Sequence, residues 1–190
     1  MTLLPRVTGV SYEEYVAMED ASPDRHEYFG GAVVERVNRT ATHAALALAV
    51  AAELRVALRG RPCFALGSDF RVRLDGTDLS TYPDVSVWRG EILRPEGDRH
   101  AGTNPVAVVE VLSPGTRDYD EGAKTRHYLR LPSLRHLVLV DSEATRVELW
   151  TRGEGDAWEV RHLTDGPLPL SHLGVTLDVG AIYALPAGLT

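Results

Sequence analysis

Two carboxylates stand where apolar residues are expected. Tyr82-Pro83-Asp84-Val85-Ser86-Val87-Trp88 reads as a strand opened by Asp84, and Pro105 to Leu112 reads as a near-continuous apolar strand interrupted by Glu110. An ionised carboxylate in an apolar strand is costly unless it is paired or bound to a metal. Two of them brought together repel, and a divalent cation relieves the repulsion. Asp and Glu oxygens suit Mg²⁺, with Mn²⁺ as a substitute, better than a soft metal. Lys124 follows within Asp118 to Tyr128, a stretch expected to be helical. Its ammonium can orient a water or stabilise charge developing on a phosphate. Asp84, Glu110, Lys124 and a divalent cation together suit phosphodiester hydrolysis. The alternative for Asp84 and Glu110 is a pair of buried carboxylates held by Arg or backbone N–H groups.

The elements that must position these residues can be read along the chain. Ser11 to about Asp20 is a short helix, because Ser11 and Glu14 match a capping box. His26 to Phe29 and Ala32 to Val37 are two strands around the turn Gly30-Gly31. Glu27 lies in the first, either as a solvent-facing residue or as a third acidic group near the metal. Thr40 to Leu58 is the strongest helix, Ala- and Leu-rich, stopped by Gly60 and Pro62, and apolar enough all round to be well buried across a sheet. His43 in its first turn has a structural reading and a phosphate-contacting one. Cys63 to Leu66 is a short strand. In Asp69 to Leu74, Phe70, Val72 and Leu74 face one way while Arg71 and Arg73 face the other, a solvated sheet face or a phosphate contact.

Glu91 to Thr103 is polar and reads as an exposed loop. The apolar Pro105 to Leu112 is expected to be a central strand covered on both faces. Thr116 or Asp118 could cap the helix that follows, on which Lys124 and Tyr128 share one face at a spacing of four; Tyr128 is a candidate substrate contact. Leu134 to Val140 is a buried strand. Arg146 to Thr151 and Trp158 to Leu163 form a hairpin around Gly153-Glu154-Gly155-Asp156, and the tail from Pro167 is expected as irregular pieces ending near Tyr183. Trp88, Trp150 and Trp158 read as core or interface fillers. Helices and strands in this order suggest an α/β (α+β) fold with a mixed sheet and a helix packed on it.

Bulk properties narrow the class. A chain of 190 residues, 44% hydrophobic and 25% charged, suits one domain with one core. A single cysteine, Cys63, excludes an internal disulfide and a Cys-rich zinc site. The opening residues do not form a signal peptide and no apolar run is long enough to span a membrane, so a cytoplasmic protein is expected. A net charge of −7 argues against a broadly basic protein that coats DNA, but not against a nuclease with local positive charge.

These residues resemble a known family. The run Tyr82-Pro83-Asp84-Val85, Asn104-Pro105, Val109-Glu110-Val111-Leu112-Ser113-Pro114, Thr116-Arg117-Asp118, Lys124, Tyr128 and Leu131-Pro132-Ser133-Leu134 is similar to the Uma2 (DUF820) putative restriction endonucleases. His26 to Gly31 resembles that family's opening segment, with Gly30 where the family has Asp. The resemblance covers residues 10–183 as a single domain and leaves 1–9 and 184–190 as terminal extensions. It implies the PD-(D/E)XK, restriction-endonuclease-like fold, a central mixed β-sheet flanked by helices. It implies Asp84, Glu110 and the Val111 backbone carbonyl as Mg²⁺ ligands, with Glu27 nearby. The fold's usual lysine, two residues after the Glu, is Leu112 here, and the resemblance assigns its role to Lys124.

The expected activity is metal-dependent hydrolysis of DNA by a metal-activated water that Lys124 positions, in a homodimer suited to two-stranded substrates. The candidate substrate contacts are His43, Arg71, Arg73 and Tyr128. Two alternatives are a catalytically silent binding or assembly module, supported by the missing in-strand lysine and the acidic charge, and a metal-dependent hydrolase of another phosphorylated substrate.

Overall fold

The computed structural model describes residues 7–36, 40–114, 119–186 and 188–189. The chain runs through β1 (Val7–Thr8), α1 (Tyr12–Ala21), β2 (His26–Phe29), β3 (Ala32–Glu35), α2 (Ala41–Ala57), β4 (Cys63–Gly67), β5 (Arg71–Leu74), β6 (Leu79–Thr81), β7 (Val85–Arg89), β8 (Ala101–Gly102) and β9 (Ala107–Leu112). A π-helical segment, Tyr119–Lys124, then leads into α3 (Thr125–Leu129). The remainder is β10 (His136–Asp141), β11 (Val147–Arg152), β12 (Trp158–Leu163), β13 (Pro167–Leu170), β14 (Val175–Asp178) and α4 (Val179–Ile182). The expected Thr116 or Asp118 cap lies outside the described residues, as does Val37.

Two sheets carry the architecture. The central one has the order β12-β11-β10-β9-β7-β4. It is mixed, because β9 and β10 run parallel while its other neighbours are antiparallel. Every residue of β9 and β10 is buried, as an apolar run in a central strand requires. The second sheet has the order β1-β3-β2-β6-β5-β8. Val7 and Thr8, read from sequence as part of a terminal extension, pair with β3 in this sheet.

The period of two divides β9 between two cores. Ala107, Val109 and Val111 pack with Leu46, Val50 and Leu54 of α2. Val108 and Leu112 pack with Tyr128 and with Val72, Leu74 and Leu79 of the second sheet. Each fully buried side chain of this kind contributes about 1.5–3 kcal/mol of transfer free energy.

The α2 helix is buried along one stripe only. Leu46, Val50 and Leu54 face the sheet at successive helical turns, whereas Leu48 and Val56 are exposed. The expectation of burial all round came from its Ala content, which is compatible with either environment. The tail is also more regular than expected. Pro167–Leu170 and Val175–Asp178 form an antiparallel hairpin whose Leu168, Leu170, Val175 and Leu177 join the α2 core. Its prolines are tolerated because this strand pairs on one side. The Glu91 to Thr103 loop contains β8, paired parallel to β5, and a buried Asp98. Gly102 in β8 is required by close approach, since a Cβ there would come within 2.5 Å of the Trp88 ring. Trp88 is fully buried, as a core filler should be.

Candidate active site

The two sheets meet at Tyr82-Pro83, which joins β6 of one to β7 of the other. The register of β7 with β9 places Val85 opposite Val109. One step further along sets Asp84 opposite Glu110. Opposed residues of an antiparallel pair share a face, with Cβ atoms about 4.5–5.5 Å apart. Both carboxylates are buried. Asp84 Oδ2 accepts a hydrogen bond from the Val111 N–H at 2.8 Å, which ties the start of β7 to the residue beside Glu110.

Glu27 arrives from the second sheet. It faces inward, 7% exposed, and its solvent-facing reading is thereby overturned. The β2–β6 register, Tyr28 opposite Ser80, extends to put Glu27 opposite Thr81, whose hydroxyl donates to Glu27 Oε1 at 2.6 Å. Lys124 closes the arrangement. It ends the π-helical segment, a local widening of the helix that recurs at functional sites. Its Nζ lies 2.9 Å from Glu110 Oε1, 3.0 Å from Glu27 Oε1 and 3.7 Å from Asp120 Oδ1. Tyr128, on the same face, donates its hydroxyl to Glu110 Oε1 at 2.6 Å.

Electrostatics follow from this packing. Burial alone would lower the Lys124 pKa, but Glu110 and Glu27 hold it well above the ordinary lysine value. Burial alone would raise the Glu27 pKa, but Lys124 and the Thr81 hydroxyl bring it below the usual glutamate value. Burial and the Glu110 charge push the Tyr128 phenol far up, so it stays protonated and donates.

Several contacts were not anticipated. His43, a candidate from the sequence, has a partner the sequence did not reveal: its Nε2 sits 3.1 Å from Asp84 Oδ2. Thr40, the N-cap of α2, accepts from the His43 N–H and so sets the turn that aims the ring. Arg36 Nη2 is 3.9 Å from Asp84 Oδ1, with its guanidinium 5.6 Å from the Tyr82 ring centre. Thr81, Asp120 and Tyr119, whose hydroxyl lies 3.4 Å from Glu27 Oε2, complete the surroundings.

Arg71 and Arg73 do not join this group. Neither lies on a solvated face, since they are 1% and 6% exposed. Arg71 pairs with Asp98 at 2.7 Å and Asp20 at 3.1 Å, and Arg73 with Asp75 at 2.9 Å and Asp78 at 2.7 Å. Tyr12 and Tyr28, brought over this face by α1 and β2, stack on Arg73 at 3.8 and 5.6 Å. Strand alternation was read correctly, but it does not reveal that both faces of β5 are covered.

The donor set fits a hard divalent cation. Among the described residues, four buried carboxylates, Glu27, Asp84, Glu110 and Asp120, gather around Lys124 and Arg36. No ready-made group of three or more His, Cys, Asp and Glu ligands occurs among the described residues. Mg²⁺ is commonly held by one or two carboxylates together with waters and substrate oxygens.

A mixed sheet flanked by helices, with an Asp and a Glu opposed on adjacent central strands and a lysine against the Glu, defines an α+β fold of the restriction-endonuclease-like class. Residues 12–180 match the Uma2 family, described as "Putative restriction endonuclease", and the chain belongs to that family. Membership supports a nuclease role. Two relatives come from Synechocystis sp. The uncharacterized protein slr1290 is 30% identical over 175 residues, which cover 92% of this chain and 91% of that one. The uncharacterized protein sll1609 is 26% identical over 150 residues, which cover 79% and 85%. The fold is similar to the crystal structure of a putative nuclease belonging to DUF820 from Anabaena variabilis, with a TM-score of 0.73 and 19% identity, covering 92% of this chain and 97% of that one. Among the described residues no helix is long and apolar enough to cross a membrane.

Proposed function

We propose that this chain is a divalent-metal-dependent endonuclease that hydrolyses DNA phosphodiester bonds. The observation that carries the reading is the opposition of Asp84 and Glu110 across β7 and β9, with the Lys124 ammonium 2.9 Å from Glu110. Asp84, Glu110 and the Val111 carbonyl are the groups that would hold Mg²⁺ or Mn²⁺. When bound, such an ion supplies charge neutralisation at the phosphate and lowers the pKa of water.

The side chains have separable tasks. Lys124 stays protonated, because two glutamates stabilise its charge. It is therefore a donor and a charge stabiliser rather than a proton acceptor, and its N–H groups can orient a water or hold a phosphate oxygen. Glu27 stays ionised and positions that ammonium. Tyr128 positions Glu110 by donating to it. His43 and the Val111 N–H orient Asp84. The two-stranded substrate favours a homodimer, which sedimentation velocity would test.

The test is a Mn²⁺ and Mg²⁺ titration of wild type and of the Asp84→Ala, Glu110→Ala double variant, by calorimetry and thermal shift. A ligand bound only by the folded state raises the melting temperature as its concentration passes Kd. The expected result is a response in wild type that is lost in the variant. Absence of binding by wild type at millimolar metal, with and without DNA, would sink the proposal.

A further inference from the structure

A second concave site lies one helical turn from Lys124. It is a cavity of about 310 Å³ between the turn after β5 and the exit of α3, lined by Arg73, Gly76, Thr77, His127, Arg130 and Leu131 among others. Three buried polar atoms on its walls, Arg73 Nη1, Thr77 Oγ1 and His127 Nδ1, have no hydrogen-bond partner. Buried polar groups are paired in folded proteins, so three orphans around one cavity call for a common partner. The Arg73 atom can only donate, the Thr77 hydroxyl can donate, and a neutral imidazole can donate from Nδ1. A group with several acceptor oxygens satisfies all three at once.

The surroundings favour a negative group. Arg130 lines the cavity with an exposed side chain, and Arg126 stands one turn before it on the same helix. Burial is the main cause of the lowered His127 pKa, and the nearby positive charges of Arg126 and Arg130 add to it. Asp75, the acidic residue on the wall, is already paired with Arg73 Nε at 2.9 Å. His127 is three residues beyond Lys124, and its ring meets the half-exposed Phe29 ring at 4.8 Å, two residues beyond Glu27. The cavity is therefore next to the elements that carry Lys124 and Glu27.

We propose that the cavity bounded by Arg73, Thr77, His127 and Arg130 is an oxyanion-binding subsite that takes a phosphate group. Its position fits a backbone phosphate of the DNA strand next to the one at Lys124, a placement that rests on the nuclease reading. The oxyanion site itself does not rest on it.

The experiment follows the histidine imidazole signals by NMR in metal-free protein, titrated first with inorganic phosphate and then with a short DNA duplex. His127 is assigned through His127→Gln. Saturable movement of the His127 signals by phosphate is expected. Arg130→Ala and Thr77→Val should each weaken phosphate binding by about threefold to tenfold, the worth of one hydrogen bond. Neither residue touches the Lys124 cluster, so a phosphate at Lys124 would be unaffected by both. If the duplex also moves His127, and Arg130→Ala lowers the salt dependence of duplex binding by about one unit in slope, the source is a substrate phosphate. If inorganic phosphate alone moves it, the site serves a free oxyanion and still stands. A protein that never cleaves DNA but shows this binding loses the nuclease reading and keeps the subsite. Unmoved His127 signals, or unchanged phosphate affinity in both variants, overturn the proposal.

Discussion

The Lys124 centre and the Arg71–Arg73 network have the same charge inventory and opposite consequences. Among the described residues, each gathers four carboxylates around two cations. Around Arg71 and Arg73, three of the four carboxylates reach water, with the side chains of Asp20, Asp75 and Asp78 40%, 65% and 47% exposed. Solvent carries their excess charge, while the buried Asp98 is held by Arg71, the Tyr12 hydroxyl and the His100 N–H. Around Lys124 and Arg36, none of the carboxylate side chains exceeds 9% exposure. There burial rather than solvent sets the electrostatics, the setting that the proposed divalent cation requires. What distinguishes the two networks is the burial of their carboxylates.

The comparison yields graded expectations. The largest effect falls on Asp84→Ala with Glu110→Ala, which should cut metal-dependent plasmid cleavage by about 10³-fold, equivalent to about 4 kcal/mol of barrier. Comparable cleavage by the variant would show that the two centres do not differ as described. Next comes Arg71→Met, which removes the charged partner of buried Asp98 and leaves it the Tyr12 hydroxyl and the His100 N–H, and should cost about 2 kcal/mol in urea unfolding while leaving the metal affinity of the folded protein unchanged. Lys124→Met should tighten Mn²⁺ binding about tenfold by calorimetry, or about 1.4 kcal/mol, because the ammonium no longer competes for Glu110, while cleavage falls. Weaker binding would mean that Lys124 organises the ligands rather than opposing the metal.

A smaller effect is on pH. The folded-state pKa of Glu27 lies below its ordinary value of 4.5, so its contribution to stability is complete above that value and is lost as pH falls through the folded pKa. Glu27→Gln should flatten the acid limb of the stability curve in that window and leave the shape near neutrality unchanged. Lys124 has the opposite sign: its raised pKa gives stability that is present below about 10.5 and lost as pH rises through the folded value. The smallest effect is Asp75→Asn, which should change stability by less than about 1 kcal/mol, since that carboxylate is mostly solvated.

Much of the site was legible because carboxylates interrupting apolar strands have few bland explanations. Asp84 and Glu110 stood out for that reason, and the spacing of Lys124 and Tyr128 put both on one helical face before any contact was known. The capping box at Ser11 and Glu14 was equally local, and both of its hydrogen bonds form. What stayed hidden depends on contacts distant in sequence. Glu27 was named as a third acidic group with a solvent-facing alternative, and its contact with Lys124, 97 residues away, is what the sequence could not decide. The pairing of His43 with Asp84 depends on α2 crossing the end of the strands. A marker did exist for it, since Thr40 as N-cap fixes where His43 points. Arg71 and Arg73 were misplaced because alternation assigns faces and says nothing about what lies against them.

The Tyr82-Pro83 connection has one more consequence. Thr81, which holds Glu27, and Asp84, which faces Glu110, are separated by two residues, one of which is a proline of fixed φ. The connector is thus a ruler as well as a link. A single residue inserted there, if it shifts Asp84 by one position along the strand, would turn it to the opposite side of the sheet, toward α2, without altering any side chain of the candidate site. Length in this stretch is under the same chemical constraint as the identity of the acids, and a one-residue change would disarm the site as surely as replacing them.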